Sequence, residues 1–299
     1  MYQYSMTQWI VGNEEMEKSF IRLKKYGYDG IEFAAEPYTL DPENLKELLV
    51  KYQMVCTSLC GIYSEDRDLS APEGEAAKKA VGYLKDSIDL ATEVGAGCLI
   101  VVPSPVGRTA PVQGRSYQQA WENAVKNVRA AAGYAREKGI QLVIEAINRY
   151  ETYLVNTIPK AVAFVREVNH PSVGVMADLF HMSLEENNLG QSLHLAAPYL
   201  GHVHIADHTR EAAGLGRTDF KEVLCILKQI GYEGALTMEF MPRVANPYEI
   251  GDMDTQSRRM DLYAEQSIRY LKDMEKAVGL GYWTSISVAC WPIYCLLHP

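Results

Sequence analysis

Short apolar runs alternate with longer stretches in which apolar positions recur every three or four residues, along nearly the whole chain. The first pattern suits buried strands and the second amphipathic helices, so the chain reads as repeated βα units around a parallel sheet. The predicted strands are "YQYSM" (2–6), "GIEF" (30–33), "VCTSLC" (55–60), "CLIVV" (98–102), "QLVIE" (141–145), "VGVMAD" (173–178), "LGHVHI" (200–205) and "ALTMEF" (235–240). Helical patterns between them include "MEKSFIRLKKYG", "PENLKELLVKY", "AKKAVGYLKDSIDLATEVG" and "AWENAVKNVRAAAGYAREKG", several closing on a glycine suited to a helix C-cap. "KYGYDGIEF" (25–33) and "QIGYEGALTMEF" (229–240) echo one another, each running from a helix end through a Gly-Tyr-acid-Gly turn into a strand that finishes in Glu-Phe.

Eight such units predict a single-domain (β/α)8 TIM barrel over residues 1–278, whose site should gather at the C-terminal ends of the strands. A doubly wound sheet is the competing architecture, but no G-x-G-x-x-G follows the first strand, which removes support for a dinucleotide site. The remaining "GLGYWTSISVACWPIYCLLHP" (279–299) differs in composition, is interrupted by Pro292 and is too short an apolar run to span a membrane. It is expected to be either a subunit-packing segment or a tail without function.

At 299 residues the chain suits one barrel, and 29 basic against 38 acidic residues give a formal charge of -9 with no Lys/Arg cluster. Nucleic acid is therefore not an expected partner, nor is a membrane. No basic segment followed by an apolar one opens the sequence, so a cytoplasmic location is expected. The six cysteines, Cys56, Cys60, Cys98, Cys225, Cys290 and Cys295, form no C-x-x-C pair and read as free, mostly packed thiols.

The last four predicted strands carry Glu145, Asp178, His204 and Glu239 at or near their ends, one each. In a barrel these ends are neighbours, so the three carboxylates and one imidazole converge, an arrangement that repels itself unless a cation neutralises it. Oxygen donors with one nitrogen suit Mn²⁺, Co²⁺ or Mg²⁺ better than a thiolate-seeking ion, although Zn²⁺ also accepts such ligands. Glu151, His181 and Arg210 follow ligand-bearing strands by a few residues and should overhang the same mouth. Strand alternation puts His202 on the same face as His204, one layer deeper, as a hydrogen-bonded structural residue.

The segments "EAINRYETYLVNT", "VMADLFHMSLEEN", "HVHIADHTR" and "TMEF" resemble, in order and spacing, the four metal-ligand segments of the sugar phosphate isomerase/epimerase family of xylose-isomerase-like barrels, and within it the ketose 3-epimerases that act on D-tagatose and D-allulose. The resemblance implies metal-dependent epimerisation of a free ketose at C3 through an enediolate. It implies Mn²⁺ or Co²⁺ on Glu145, Asp178, His204 and Glu239, proton transfer by Glu145 and Glu239, and substrate contacts from Glu151, His181 and Arg210. A homodimer or homotetramer is expected. Related reactions on the same scaffold are aldose-ketose or hydroxypyruvate isomerisation, keto-inositol dehydration and C-glycoside cleavage. A trinuclear zinc endonuclease of the superfamily needs histidines from early strands, whereas the first histidine here is His170. A noncatalytic sugar-binding module would need no metal, so elemental analysis separates it from the enzymes. Two stretches depart from the ketose epimerases: "VVPSPVGRTAPVQGRSY" has no tryptophan, and "ADHTR" follows the strand-seven histidine, placing any difference in specificity at the far end of the sugar.

Overall fold

The computed structural model describes residues 2–241 and 253–279. Its strands are β1 (Gln3–Met6), β2 (Gly30–Ala35), β3 (Val55–Gly61), β4 (Cys98–Val101), β5 (Gln141–Glu145), β6 (Val173–Asp178), β7 (Leu200–Ile205) and β8 (Ala235–Met238). The helices among the described residues are α1 (Met16–Tyr26), α2 (Pro42–Tyr52), α3 (Glu75–Val94), α4 (Tyr117–Lys138), α5 (Ile158–Val168), α6 (Leu179–Glu185), α7 (Leu189–Ala196), α8 (Phe220–Gln229) and α9 (Met253–Gly279). All strand pairings are parallel, in the order β1-β8-β7-β6-β5-β4-β3-β2. This is the (β/α)8 TIM barrel expected from the apolar pattern. Two helices rather than one follow β6, and β8 stops at Met238, so Glu239 lies one residue past its strand.

The ring closes between β1 and β2 through backbone bonds at two levels, from Asp29 N to the Tyr4 carbonyl (2.9 Å) and from Gln8 N to the Glu32 carbonyl (2.8 Å). The Asp29 carboxylate also accepts from Tyr4 N at 2.9 Å, so one aspartate occupies both backbone groups of Tyr4 at the lower end of the seam. Glycines at the ends of α1, α3 and α4 adopt left-handed φ values of 80°, 74° and 74° and close those helices as their sequence positions predict.

Strand alternation separates two cores. Residues facing the helices, such as Phe33, Leu59, Leu142, Val203 and Leu236, join the large apolar layer between sheet and helices. Inside the barrel, Cys60, Cys98, Ile100, Val143 and Met176 form a small apolar cluster. The rest of the interior is polar: Ser5, Glu32, Ser58, His202, His204 and Thr237 are all buried. Cys56, Cys60 and Cys98 are buried free thiols and Cys225 is half-buried, as the packing reading expected. The predicted tail 279–299, with Cys290 and Cys295, lies beyond the described residues apart from Gly279, which ends α9.

Candidate active site

The sheet delivers the four strand-end residues to one place because β5, β6, β7 and β8 are successive neighbours. Register pairs Asp178 with His204, and His204 with Thr237 two residues before Glu239. Glu145 on β5 and Glu239 after β8 stand at the two ends of this arc, with Asp178 and His204 between them. One oxygen of Asp178 caps α6, accepting from His181 N at 2.8 Å. Its other oxygen, Oδ2, is buried with no hydrogen bond and faces His204 Nδ1 at 3.6 Å. His204 Nδ1 is likewise buried without a hydrogen bond and lies 3.3 Å from Glu239 Oε1.

Leaving two such atoms unsatisfied costs about 1–3 kcal/mol each, so their convergence calls for a partner. Donor atoms of Asp178, His204 and Glu239 lie within 4.8 Å of one another, and so do those of Glu145, Asp178 and His181. Ligands on opposite sides of an ion bound at about 2.1 Å are about 4.2 Å apart, so the cluster needs only side-chain adjustment to hold a cation. A divalent ion therefore fits the donor set, with Asp178 joining the two groups.

The two glutamates are held differently. Glu239 accepts from Trp9 Nε1 at 3.0 Å on one oxygen and from Arg210 Nη2 at 3.3 Å on the other. Burial pushes its carboxyl up toward the protonated form, but the His204 ring and the Arg210 guanidinium outweigh burial and hold it below the usual range. Glu145 lies 3.8 Å from the His181 ring. Burial, reinforced by the Glu239 charge, pushes the Glu145 carboxyl well above the ordinary value. A pair of carboxyls driven apart in this way is suited to opposite proton-transfer roles.

His181 is oriented by Asn148, whose amide donates to its Nδ1 at 2.8 Å and to Glu151 Oε1 at 2.8 Å. The neutral ring therefore carries its proton on Nε2, toward Glu145. Burial keeps the imidazole uncharged, lowering its pKa to about 4. Arg210 Nη1 lies 3.6 Å from Glu151 Oε1, and its guanidinium sits 4.8 Å above the Phe180 ring. Glu145, Glu151, His181, Arg210 and Glu239 all line a single cavity of about 220 Å³, at the small end of ligand sites. Its opposite wall is apolar, from Ile62, Tyr63, Val102 and Val106.

Three participants were not predicted. Trp9 enters from the turn after β1 and lines the cavity. Asn148, three residues after Glu145, was legible only as a polar loop residue. Glu32 on β2 spans the barrel to accept from both histidines of β7: His202 Nε2 at 3.0 Å and His204 Nε2 at 3.1 Å. Burial alone would raise the Glu32 carboxyl, but the two rings outweigh it and hold it well below its ordinary range. His202 thus sits one layer beneath His204 in a hydrogen-bonded position, as alternation predicts.

The "ADHTR" stretch also resolves. Asp207 is fully buried and turned into its own loop, accepting from His208 N (2.8 Å), Gly214 N (3.1 Å), Gly216 N (2.7 Å) and Thr218 N (3.1 Å). A Cβ on Gly216 would lie 2.3 Å from Asp207 Oδ1, so the glycine is required by that close approach. Neither Asp207 nor His208 lines the cavity. Asp207 instead shapes the loop that holds Arg210 at φ 64°, a left-handed conformation costing about 1–3 kcal/mol for a residue with a side chain. Backbone bonds from Arg210 N to the Asp207 carbonyl (2.7 Å) and from Met241 N to the Arg210 carbonyl (2.6 Å) fix it there.

The chain matches the family described as xylose isomerase-like TIM barrel over residues 20–274. It is 30% identical over 251 residues to a D-psicose 3-epimerase of Ruminiclostridium cellulolyticum, covering 80% of this chain and 81% of that protein. It is 32% identical over 233 residues to an L-ribulose 3-epimerase of a Methylomonas species, covering 77% of this chain and 80% of the relative. Among solved structures, a D-allulose 3-epimerase from Methylomonas in complex with D-allulose superposes with a TM-score of 0.78 at 26% identity, over 91% of this chain and 97% of that one. No described helix is long and apolar enough to cross a membrane.

Proposed function

The chain belongs to the xylose isomerase-like TIM barrel family, and from that premise we propose that it epimerises a free ketose at C3, one of Glu239 and Glu145 removing the C3 proton and the other delivering a proton to the opposite face. The observation that carries this reading is the pair itself: two buried glutamates at the ends of a four-strand arc, lining one cavity, with their carboxyls driven to opposite sides of the ordinary range. The names of the relatives, 3-epimerases of D-psicose and L-ribulose, support the same chemistry.

In one direction Glu239, held ionised by His204 and Arg210, takes the proton from C3. Glu145 returns one to the opposite face of the resulting enediolate. In the reverse direction the roles exchange. Two carriers are needed because a single base returns the proton to the face it came from. A divalent cation, with Mn²⁺ the first choice and Co²⁺ or Mg²⁺ as alternatives, would be held by Glu145, Asp178, His204 and Glu239 and would supply Lewis acidity next to C3. Glu151, His181 and Arg210 would grip substrate hydroxyls, and the apolar wall would exclude water from the reacting centre.

The test is incubation of the Mn²⁺-supplemented protein with free ketohexoses and ketopentoses in D₂O, followed by NMR. Deuterium at C3 together with a new epimer is the expected result. Label at C1 with an aldose product would instead assign aldose-ketose isomerisation, and absence of exchange with every ketose would overturn the proposal. The homodimer or homotetramer and the cytoplasmic location belong to the same proposal; light scattering on the purified protein and fractionation of cells check them.

A further inference from the structure

Glu32 lies outside the cavity, yet among the described residues it is the carboxylate that reaches His204 at Nε2, the nitrogen turned away from Asp178 and Glu239. Its Oε1 and Oε2 are each 3.1 Å from His204 Nε2, and its Oε2 also meets His202 Nε2 at 3.0 Å and Ser58 Oγ at 2.5 Å. Glu32, His202 and His204 are all essentially fully buried. A carboxylate surrounded by these three groups acts only as an acceptor, so each imidazole must present a proton on Nε2. An imidazole that binds a cation is neutral and has one N–H, and fixing it on Nε2 leaves Nδ1 of His204 as the nitrogen that can bind. That nitrogen is the buried atom without a hydrogen bond that faces Asp178 Oδ2 and Glu239 Oε1.

We infer that Glu32 is a positioning residue for the active site: by accepting from His204 Nε2–H across the barrel, it fixes the ring's tautomer and orientation so that Nδ1 is presented as a cation ligand. The inference rests on the metal-site reading of the mouth and adds a residue from the first half of the chain behind a set of candidate ligands that all come from the second. His202 and Ser58 hold the Glu32 carboxylate in place, so that it cannot swing away from the His204 ring. An outer partner of this kind typically changes metal affinity by about 10–100-fold.

Two measurements test it. Titration of wild-type protein and E32Q with Mn²⁺, following the free aqueous ion by EPR, should give a dissociation constant about 10–100-fold higher for E32Q, with an unchanged far-UV CD spectrum. In ¹⁵N-histidine-labelled wild-type protein loaded with diamagnetic Mg²⁺, His204 should show a solvent-protected proton on Nε2 and none on Nδ1. Wild-type Mn²⁺ affinity in folded E32Q, or a proton on Nδ1 in the loaded wild type, would overturn the role of Glu32 alone. Failure of the wild-type protein to bind Mn²⁺, Co²⁺ or Mg²⁺ would overturn the metal-site reading, and the inference with it. The NMR measurement needs no variant, so it decides the matter even if E32Q fails to fold.

Discussion

Glu32 and Glu239 are each the Glu of the Glu-Phe that closes one of the two echoing stretches, Glu32 within β2 and Glu239 just past β8, and each is buried in the barrel. Their surroundings differ in one respect that sorts their roles. Glu32 lies in the floor beneath the mouth, where two histidines and a serine supply its hydrogen bonds and both of its carboxylate oxygens have partners. Glu239 belongs to the mouth, where Asp178 and, when ionised, Glu145 carry charge of the same sign and Asp178 Oδ2 has no hydrogen bond. The floor is complete as folded and the mouth is complete only with something added. His204 belongs to both, one ring nitrogen in each.

The largest effect expected from this division is on chemistry. Glu239→Gln should keep the fold and lower deuterium incorporation at C3 by about 10²–10⁴-fold, the usual contribution of a positioned acid or base. Wild-type exchange in that variant would remove Glu239 from the reaction.

Stability should respond in opposite directions in the two layers. Glu32→Ala strips the floor histidines of their carboxylate and should cost about 3–5 kcal/mol, the penalty for breaking a buried pair by deleting one member. Glu145→Gln relieves repulsion at the mouth and should leave the metal-free protein as stable as wild type or more so. Urea denaturation with EDTA present compares them, and equal destabilisation by both would erase the distinction.

Their pH dependence should also be opposed. The folded Glu32 carboxyl lies below its unfolded value, so the unfolded chain binds more protons in between; its contribution is present above about pH 4.5 and is lost as pH falls toward the folded value. The folded Glu145 carboxyl lies above its unfolded value, so here the folded state binds more protons; stability of the metal-free protein falls as pH rises from about 4.5 through that raised value. Subtracting the stability-pH profile of each Gln variant from that of wild type isolates the two slopes, and slopes of the same sign would contradict the assignment.

The smallest effect concerns the thiols that face the barrel interior. Burial raises the Cys98 thiol to about 12 and the Cys60 thiol well above its usual value, so both stay protonated near neutrality. Among the cysteines of the described residues, iodoacetamide at pH 8 should modify Cys225 first and leave Cys60 and Cys98 intact, as read by mass spectrometry. Rapid labelling of Cys60, which lines the cavity, would show a mouth wetter than the apolar wall indicates.

What could be read beforehand follows the same division. The mouth was legible because its residues sit at or next to strand ends on consecutive strands, where period-two alternation and the order of βα units are enough to bring them together. The floor was only half legible: alternation placed His202 under His204, but their shared partner lies 170 and 172 positions away on β2. That contact exists only after the barrel has closed, and no local pattern in "GIEF" separates an inward carboxylate from a strand-end one. Trp9 was hidden because a single helical turn leaves no periodic signal. Asp207 looked like a residue that reads the substrate because of its place after the strand-seven histidine. Its four backbone donors come from residues 208 to 218 of a loop whose conformation sequence does not reveal.

The seam between β1 and β2 gives this division a consequence in time. Glu32 is carried by the strand that meets β1 through the bonds at Asp29 and Gln8. A transient parting of those strands would carry the floor carboxylate away from His204, so breathing of the barrel and occupancy of the mouth become linked equilibria. Saturating the mouth with its ion should then slow amide hydrogen exchange at Gln8 and Asp29, on the far side of the ring from Asp178, and the protection gained there would measure how tightly the two layers are coupled.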